Sequence, residues 1–558
     1  TAHVKLAVGS TLSQMQKPLI FVEGLDLDVV HHSTHRHGAR GWPNFISGIT
    51  SEGDTTEKIF ERLPILLDKL SRNNYDIIYL DFYNSTGLMQ GNTMVLIELL
   101  QQISNSFAAN SAHSIVVAGA SMGGQITKYA LSYMEANNIK HCVRDFISID
   151  SPHQGANMPM GIQNMVEHLM PLGGDIEKFR DLLHTPAPMQ LLQNHISPIA
   201  SGIRQAWLND LNAVGNYPKY CRKVAIANGS ATAQEIFPAG AIMGNFSLAS
   251  VSPCNNNSFI DAVVKSIPGS NTQGFVYDGK MPDGNDIGTI SLNAHACELS
   301  CTVCMATPNL YYNRRINFMP SSTPAYDNAP GGMRNTLEAF GYRMDKAVEN
   351  LVNTNNNLNW SINYFSKMVS QKNHSFIPTI SALDINTTNL LFNVAAQMPN
   401  SNQPNPAFTP FESFYAPNGA NEFHVEITGD STYGNIKWTI DELTANEPGL
   451  FGLLDANSLN NGVYNFKRMA NRFFNGIAVG NGGHLYINSD LPHDFGAASS
   501  VEIQAQLPNT NNQTLDVESC YCPNTQIEVL DGGNLTLGDI PSNRIGNLTF
   551  RSGSKLIL

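Results

Sequence analysis

Long apolar runs and basic clusters are both missing from this 558-residue sequence. No stretch approaches the roughly 20 consecutive apolar residues that a membrane-spanning helix needs, and the mean hydropathy is −0.17. Lys and Arg number 33 against 46 Asp and Glu, so the formal net charge is −13. An acidic chain without a basic cluster repels phosphate backbones. We therefore expect neither a transmembrane segment nor a nucleic-acid partner.

Sequence motifs for bound nucleotides and for calcium are also absent. The chain contains no G-x-x-x-x-G-K-[ST] loop, no dinucleotide-binding fingerprint and no EF-hand loop. We therefore expect no organic cofactor, and we assign no metal to the candidate catalytic residues described below.

Cysteines are few, but five of the eight form two local sets. The first set is Cys297, Cys301 and Cys304, and the second is Cys520 and Cys522. An even number of cysteines is typical of disulfides formed in an oxidising compartment. Two alternatives stay open. His295 and the first set have the ligand types of a tetrahedral zinc site, and the cysteines can also be plain buried thiols.

Residues 1 to about 150 alternate between short apolar strands and helical patterns. KPLIFVEG and YDIIYLDF are typical of buried strands, and TEKIFERLPILLDKLSRN has apolar residues at helical spacing between them. The same alternation continues to RDFISIDSPH. This order predicts an α/β protein with a mostly parallel sheet that is covered by helices on both faces.

The region from 155 to about 370 carries two different patterns. Residues 155–220 are helical and rich in Met and Leu, which fits either an apolar cap over a cleft or ordinary core packing. Residues 230–350 are rich in Asn, Gly and Pro and hold most of the central cysteines, so we predict an insertion there. We expect the central sheet to resume near HSFIPTISALDI.

The character of the chain changes after about residue 430. Short β-like stretches such as GHLYIN, VEIQAQL and TQIEVLDGGNLTLGD are separated by Gly and Asn. The repetition of a strand, a small Gly turn and another strand is typical of stacked solenoid rungs. We therefore predict a separate β-rich module at 431–558 with a solenoid-like repeat.

A G-x-S-x-G motif at 119–123 makes Ser121 a candidate nucleophile. The motif follows the apolar strand SIVVA and precedes an amphipathic helix, which is the strand-turn-helix context that this chemistry requires. The glycines leave room for the sharp turn that exposes the serine. The alternative is a glycine-rich turn whose serine merely caps the helix.

Four segments together resemble the α/β-hydrolase superfamily, and especially its lipase/esterase branch. They are KPLIFVEGLD, GASMGGQ, SIDSPHQGA and NEFHVEIT. The resemblance covers about residues 1 to 430 and implies an α/β-hydrolase fold with a helical cap and an inserted subdomain. The EG in place of the usual HG, the SPHQGANMP stretch and the β-rich tail resemble secreted hydrolases of Bacteroidetes-type bacteria. We therefore expect a secreted or cell-surface protein whose signal peptide has been removed.

The resemblance also implies where an oxyanion hole forms. One backbone N–H donor comes from the residue after the nucleophile, which is Met122 here, and the other from the turn after the central strand. That turn is FVEGLD, so Leu25 is the second candidate donor.

His424 is the candidate general base among sixteen histidines. It follows a Gly/Asn loop near the end of the hydrolase region, where the family places the histidine that takes the serine proton. His374 is the main rival, and a surface histidine without a catalytic role is the third interpretation.

The acid of the triad departs from the family pattern. Many bacterial lipases carry it in a D-G-x-V-P turn, but the comparable stretch here reads NHSFIPT. Asp150, at the end of a predicted strand, is our first choice, and Asp384 in SALDI is the alternative. Asp150 can instead be a strand-end residue that accepts backbone hydrogen bonds.

These residues predict a serine carboxyl-ester hydrolase that forms an acyl-enzyme on Ser121. Its substrate is expected to be a small-molecule, lipid or polymeric ester of fairly apolar character. Two alternatives stay open: an amidase or peptidase that uses the same triad, and a noncatalytic surface-binding protein that retains the fold. The oligomeric state cannot be predicted from this sequence.

Overall fold

A computed structural model gives the architecture of most of the first 444 residues. It describes residues 2–6, 18–25, 75–107, 115–139, 141–170, 175–219, 221–252, 255–268, 274–282, 311–318, 325–337, 364–371, 373–402, 404–426, 428 and 433–444, and ten short strands beyond them. No helix within these ranges is long and apolar enough to cross a bilayer.

Strands and helices alternate in the first part of the chain, as predicted. The strands are Ala2–Leu6 (β1), Pro18–Val22 (β2), Asp76–Phe82 (β3), Ile115–Ala120 (β4), Val143–Ile149 (β5) and Arg222–Ile226 (β6). The helices are Met89–Phe107 (α1), Met122–Ala136 (α2), Met160–Leu169 (α3), Asp175–Leu183 (α4), Pro186–Leu191 (α5) and Ala200–Ala213 (α6).

The second part is richer in strands. They are Ile242–Ser252 (β7), Asn255–Lys265 (β8), Gly274–Pro282 (β9), Tyr311–Phe318 (β10), Gly331–Arg334 (β11), Tyr364–Val369 (β12), His374–Pro378 (β13) and Ser413–Tyr415 (β14). Its helices are Thr379–Ala382 (α7), Val394–Gln397 (α8) and Gly434–Thr444 (α9), with a 3-10 turn at Tyr326–Asn328.

The central sheet has seven strands in the order β1-β3-β2-β4-β5-β6-β14. All neighbours pair in parallel except β1, which is antiparallel to β3. β4 and β5 are buried along their whole length, because a parallel sheet covered on both faces hides alternate side chains equally well. The predicted mostly parallel sheet is confirmed. Its carboxyl edge is where α/β proteins place their ligands.

The helical segment predicted as a cap contributes to a large apolar core. Ile162, Met165 and Leu169 of α3 are buried in the same cluster as Phe246 of β7 and Tyr277 of β9. Helix α3 therefore packs against the inserted strands rather than standing free. Of the two interpretations of this apolar stripe, a cap over a cleft or core packing, these three side chains fit core packing.

The inserted region forms a five-stranded antiparallel sheet in the order β10-β9-β8-β7-β12. It reaches Val369, beyond the predicted limit at 350. The prediction that the central sheet resumes at HSFIPTISALDI is wrong, because β13 pairs antiparallel with β11 in a separate two-stranded sheet. The last strand of the central sheet is β14, which pairs in parallel with β6.

The C-terminal part is rich in strands, as predicted. They are Leu450–Leu454 (β15), Val463–Asn465 (β16), Phe474–Val479 (β17), His484–Ile487 (β18), Ser500–Ile503 (β19), Thr514–Val517 (β20), Gln526–Val529 (β21), Asn534–Leu537 (β22), Leu548–Phe550 (β23) and Lys555–Ile557 (β24). Odd-numbered strands form one five-stranded parallel sheet and even-numbered strands form a second. Successive strands thus alternate between the two sheets.

Helix α9 lies beyond the predicted domain boundary at residue 430. Its Ile436 and Leu443 are nevertheless buried in the apolar cluster on one face of the central sheet. The Tyr75 hydroxyl, next to β3, donates a hydrogen bond of 3.0 Å to the Leu443 carbonyl. We therefore propose that the hydrolase unit extends through α9. The predicted limits of the cap, 155–220, and the predicted start of the insertion at 230 stay predictions.

Candidate active site

Ser121 occupies a sharp turn between β4 and α2 at the carboxyl edge of the central sheet. Its φ of 51° lies in the left-handed region, which costs a non-glycine residue about 1–3 kcal/mol. The turn needs glycine before the serine, because a Cβ added at Gly119 would lie 2.5 Å from the Gly123 carbonyl oxygen. The serine side chain makes no capping hydrogen bond to α2. Its hydroxyl is therefore not used as a helix cap.

His424 lies between the serine and a buried carboxylate. Its Nε2 is 2.8 Å from Ser121 Oγ, and its Nδ1 is 2.7 Å from Asp150 Oδ2. The histidine follows β14, and its backbone N–H donates a hydrogen bond of 2.9 Å to the Met333 carbonyl of β11. The ring is 3% exposed, so solvent competes little for these hydrogen bonds.

Asp150 directly follows β5 and uses both carboxylate oxygens. Oδ2 faces His424, and Oδ1 accepts a hydrogen bond of 3.1 Å from the Asn228 backbone N–H. The residue is fully buried, with a φ of 43°. Both interpretations of this aspartate therefore describe part of the geometry, because one oxygen satisfies the backbone and the other faces the imidazole.

Burial sets the protonation state of His424. Desolvation lowers its pKa below the ordinary value, Asp150 acts in the opposite direction through its hydrogen bond and charge, and Arg334 lowers it further. A proton on Nδ1 satisfies the Asp150 carboxylate and leaves Nε2 as the acceptor for the serine hydroxyl. The arrangement therefore favours a neutral imidazole that can accept a proton from Ser121.

The lowered pKa predicts that hydrolysis persists into mildly acidic solution. The base works only when neutral, so kcat/KM falls as the pH drops through the pKa of His424 in the free enzyme. We expect that acidic limb to lie below about pH 6.5, the ordinary histidine value. A pH profile of kcat/KM with a neutral ester checks this. An acidic limb at or above that value would contradict the burial argument.

The two predicted oxyanion donors flank the serine. Met122 is the first residue of α2, where backbone N–H groups lack an intrahelical partner. Leu25 follows Gly24 in the turn after β2, and a Cβ added at Gly24 would lie 3.1 Å from Ser121 Cβ. The structure thus brings the turn carrying Leu25 beside Ser121.

Asp384 lies in a different polar cluster. Its Oδ2 accepts a hydrogen bond of 2.7 Å from the Tyr217 hydroxyl and is 3.6 Å from Lys128 Nζ. Burial alone would raise the pKa of Asp384, but Lys128, His153 and Tyr217 bring it below the usual value. Burial also lowers the pKa of Lys128 to about 8, against the attraction of Asp384. The carboxylate therefore neutralises a buried lysine on α2.

His374, the rival base, is held in the two-stranded sheet. Its Nε2 is 2.8 Å from Thr336 Oγ1, and its Nδ1 is 2.9 Å from the Ser375 carbonyl oxygen. Burial lowers its pKa to about 4. Both ring nitrogens are therefore engaged by groups other than the serine.

The sequence did not indicate the support that β11 and β13 give to the triad. A Cβ added at Gly332 of β11 would lie 1.9 Å from Asp150 Oδ2. On β13, the Phe376 ring centroid is 4.9 Å from that of His424. The adjacent glycines of GGMR were an available signal, because glycine in a strand often marks a close approach of another group.

Alanine at Gly332 is expected to displace the Asp150 carboxylate and to lower kcat about 100-fold. A misplacement of 1 Å at a catalytic group costs about that factor, and the added methyl would overlap Oδ2. Gly202→Ala is the matched control, because a Cβ there meets no atom within 4 Å. The measurement is kcat on a chromogenic ester, with circular dichroism to verify folding. If the folded Gly332→Ala enzyme had the parental kcat, catalysis would not depend on the exact position of the Asp150 carboxylate.

The predicted zinc residues and both cysteine sets lie outside the described residues. Within the described part of the chain, no group of three or more His, Cys, Asp or Glu side chains is arranged to hold a metal ion. Cys142 and Cys221, which are described, carry free thiols. The disulfide and zinc interpretations therefore stay predictions for the other cysteines.

One protein-family model is similar to part of the chain. Residues 47–170 match the PGAP1-like alpha/beta domain. No curated protein sequence matches the chain.

Solved structures of three bacterial proteins are also similar. The Bacillus licheniformis lipase BlEst2 in its mature form is 16% identical, over 41% of this chain and 73% of that chain, with a TM-score of 0.22. A lipase-esterase related protein from Clostridium acetobutylicum is 15% identical, over 40% and 79%, with a TM-score of 0.18. Phospholipase PlaB from Legionella pneumophila is 14% identical, over 38% and 39%, with a TM-score of 0.21.

The narrower resemblance to Bacteroidetes-type secreted hydrolases stays a prediction. The broader one is supported by the order of the parallel strands, the serine on the turn after β4 and the family match. The predicted α/β-hydrolase fold is confirmed, and residues 47–170 are similar to the PGAP1-like alpha/beta domain.

Proposed function

We propose that this chain is a serine carboxyl-ester hydrolase in which Ser121, His424 and Asp150 form the catalytic triad. The observation that carries the proposal is the hydrogen-bonded series from Asp150 through His424 to Ser121, with distances of 2.7 and 2.8 Å. Nucleophile, base and orienting acid within hydrogen-bond reach are the geometric signature of acyl transfer.

The first half of the reaction forms the acyl-enzyme. His424 Nε2 takes the proton as Ser121 Oγ attacks the ester carbonyl, and the carbonyl oxygen becomes an oxyanion. The backbone N–H groups of Met122 and Leu25 donate hydrogen bonds to that oxyanion. When the intermediate collapses, the imidazolium returns the proton to the departing alkoxide, and the alcohol leaves.

The second half releases the acid. His424 takes a proton from a water molecule as the water oxygen attacks the acyl carbonyl. When this intermediate collapses, the bond from the carbonyl carbon to Ser121 Oγ breaks, the imidazolium returns the proton to Oγ, and the acyl group leaves as a carboxylic acid. Asp150 does not take the proton itself, and it orients and stabilises the imidazolium in both halves.

Apolar side chains beside the base favour an apolar acyl or alcohol group. Phe376 contacts the His424 ring, and Phe423, directly before the base, is 39% exposed. Exposed aromatic surface next to a catalytic group is typical of sites that bind hydrocarbon. We therefore expect esters of medium or long acyl chains to be better substrates than acetate esters.

Labelling by a fluorophosphonate, mapped to its peptide, tests the proposal. We expect stoichiometric modification of Ser121 and much faster turnover of an acyl ester than of the matching amide. Equal or faster amide cleavage would favour the amidase or peptidase alternative. A folded protein that is not labelled would favour the noncatalytic surface-binding alternative. Secretion and the absence of a nucleic-acid partner stay predictions from the sequence.

A further inference from the structure

Arg334 lies at the end of β11, close to the proposed triad. Its guanidinium carbon is 4.7 Å from the Phe376 ring centroid, and that centroid is 4.9 Å from the His424 imidazole centroid. The guanidinium is therefore no farther from the imidazole than the sum of these two distances. We therefore expect the Arg334 guanidinium to be close enough to contact a substrate that is bound at Ser121.

The described residues supply no acidic partner for this cation. No Asp or Glu among them lies within ion-pair distance of Arg334, whose side chain is partly exposed. Arg144 and Arg315 differ in this respect: Arg144 is 2.8 Å from Asp145, and Arg315 is 3.1 Å from Asp278. The nearby Asp150 carboxylate is already engaged by His424 and Asn228.

A guanidinium with no acidic partner among the described residues is unfavourable in this position without an anion. Burial lowers the pKa of Arg334 to about 10, against the attraction of Asp150, so the side chain stays charged at neutral pH. A half-desolvated charge is costly until an opposite charge pairs with it. The guanidinium carbon lies over the Phe376 ring at 4.7 Å from its centroid. Stacking on an aromatic face uses none of the N–H donors of an arginine, so this contact is compatible with an anionic ligand at the guanidinium edge.

We propose that Arg334 binds a carboxylate or phosphate group of the substrate, so that the preferred esters carry a negative charge near the scissile bond. This inference rests on the proposed ester hydrolysis at Ser121. A guanidinium pairs with either anion through two parallel hydrogen bonds. The rest of the chain offers no general attraction for anions, because the formal net charge is −13. Selection of an anionic ester therefore depends on this local cation.

Two pairs of esters test the proposal and separate the sources of charge. The first pair is a nitrophenyl half-ester of glutaric acid and nitrophenyl pentanoate, and the second is an acyl ester of glycerol phosphate and the same ester of glycerol. The measured quantity is the ratio of kcat/KM for the anionic over the neutral member. We expect Arg334→Gln to lower this ratio about 10- to 100-fold for at least one pair, because a charge-assisted hydrogen bond is worth about that factor. Arg334→Lys should recover part of it.

Arg315→Gln is the matched control, because that guanidinium also lies 4.7 Å from a phenylalanine ring, that of Phe275. It should leave the ratio at the parental value. The proposal is overturned if Arg334→Gln leaves the ratio unchanged. This includes the case in which kcat/KM falls equally for both members of each pair, because an equal fall indicates an effect on the triad alone. Fluorophosphonate labelling of Ser121 in parent and variant keeps this failure distinct from failure of the proposed hydrolysis.

Discussion

Alanine at Ser121 is expected to lower kcat for ester hydrolysis by roughly a million-fold, the size of effect that follows loss of the nucleophile in a serine hydrolase. The hydroxyl is the atom that His424 Nε2 faces at 2.8 Å. Without it no acyl-enzyme forms, and the residual rate reflects binding and the oxyanion donors alone. Steady-state kinetics on a chromogenic ester measures the loss.

Ser132→Ala is the matched control for this experiment. Ser132 lies on the same helix α2, is 1% exposed, and its buried hydroxyl has no hydrogen-bond partner among the described residues. Its removal leaves no new unpaired group, so kcat and thermal stability should stay close to the parental values. If the Ser121→Ala enzyme retained more than a small fraction of the parental kcat, another residue would have to be the nucleophile.

Asparagine at Asp150 is expected to lower kcat about 10⁴-fold with little change in stability. Asparagine keeps the shape of the side chain and an oxygen for the Asn228 N–H. It cannot hold the imidazole with its proton on Nδ1, and it cannot stabilise the imidazolium that forms in the transition state. The measurement is kcat in the parent and the variant, together with the melting temperature of each.

Asp384→Asn provides the comparison, because it should produce the opposite pattern. Removal of this charge leaves the buried Lys128 without its counter-ion, and breaking a buried ion pair costs about 3–5 kcal/mol of unfolding free energy. We expect a lower melting temperature and a nearly parental kcat for the folded enzyme. If Asp384→Asn instead abolished turnover at full stability while Asp150→Asn did not, Asp384 would be the acid.

Features encoded by neighbouring residues were predictable from the sequence. Ser121 was identified because its glycines, the preceding strand and the following helix are contiguous. Asp150 is predictable because it ends a strand shortly after the serine, where some lipases place their acid, an argument that the family resemblance supplies. His424, which follows β14, was chosen by its position in the chain, an argument that the family resemblance supplied.

Features that depend on distant pairing were not predictable in the same way. HSFIP has the pattern of a strand, but nothing in the pattern says that its partner is GGMR rather than the central sheet. β14 has only three residues, too few for a periodic signal. Arg334 and Phe376 acquire their relation to His424 only through this pairing. Similarly, an apolar stripe such as that of α3 looks the same whether it covers a cleft or a core.

The long separation between the triad residues has a consequence for the order in which activity appears during synthesis. His424 is 303 positions from Ser121 and 274 from Asp150. Because a chain emerges from its N-terminus and the first segments fold earlier, the strained serine turn forms on the ribosome long before its base exists. The base is held by a hydrogen bond to β11, which pairs with β13, and both strands are made after the serine turn but before His424. In the proposed mechanism, hydrolysis therefore requires synthesis of the chain at least through His424.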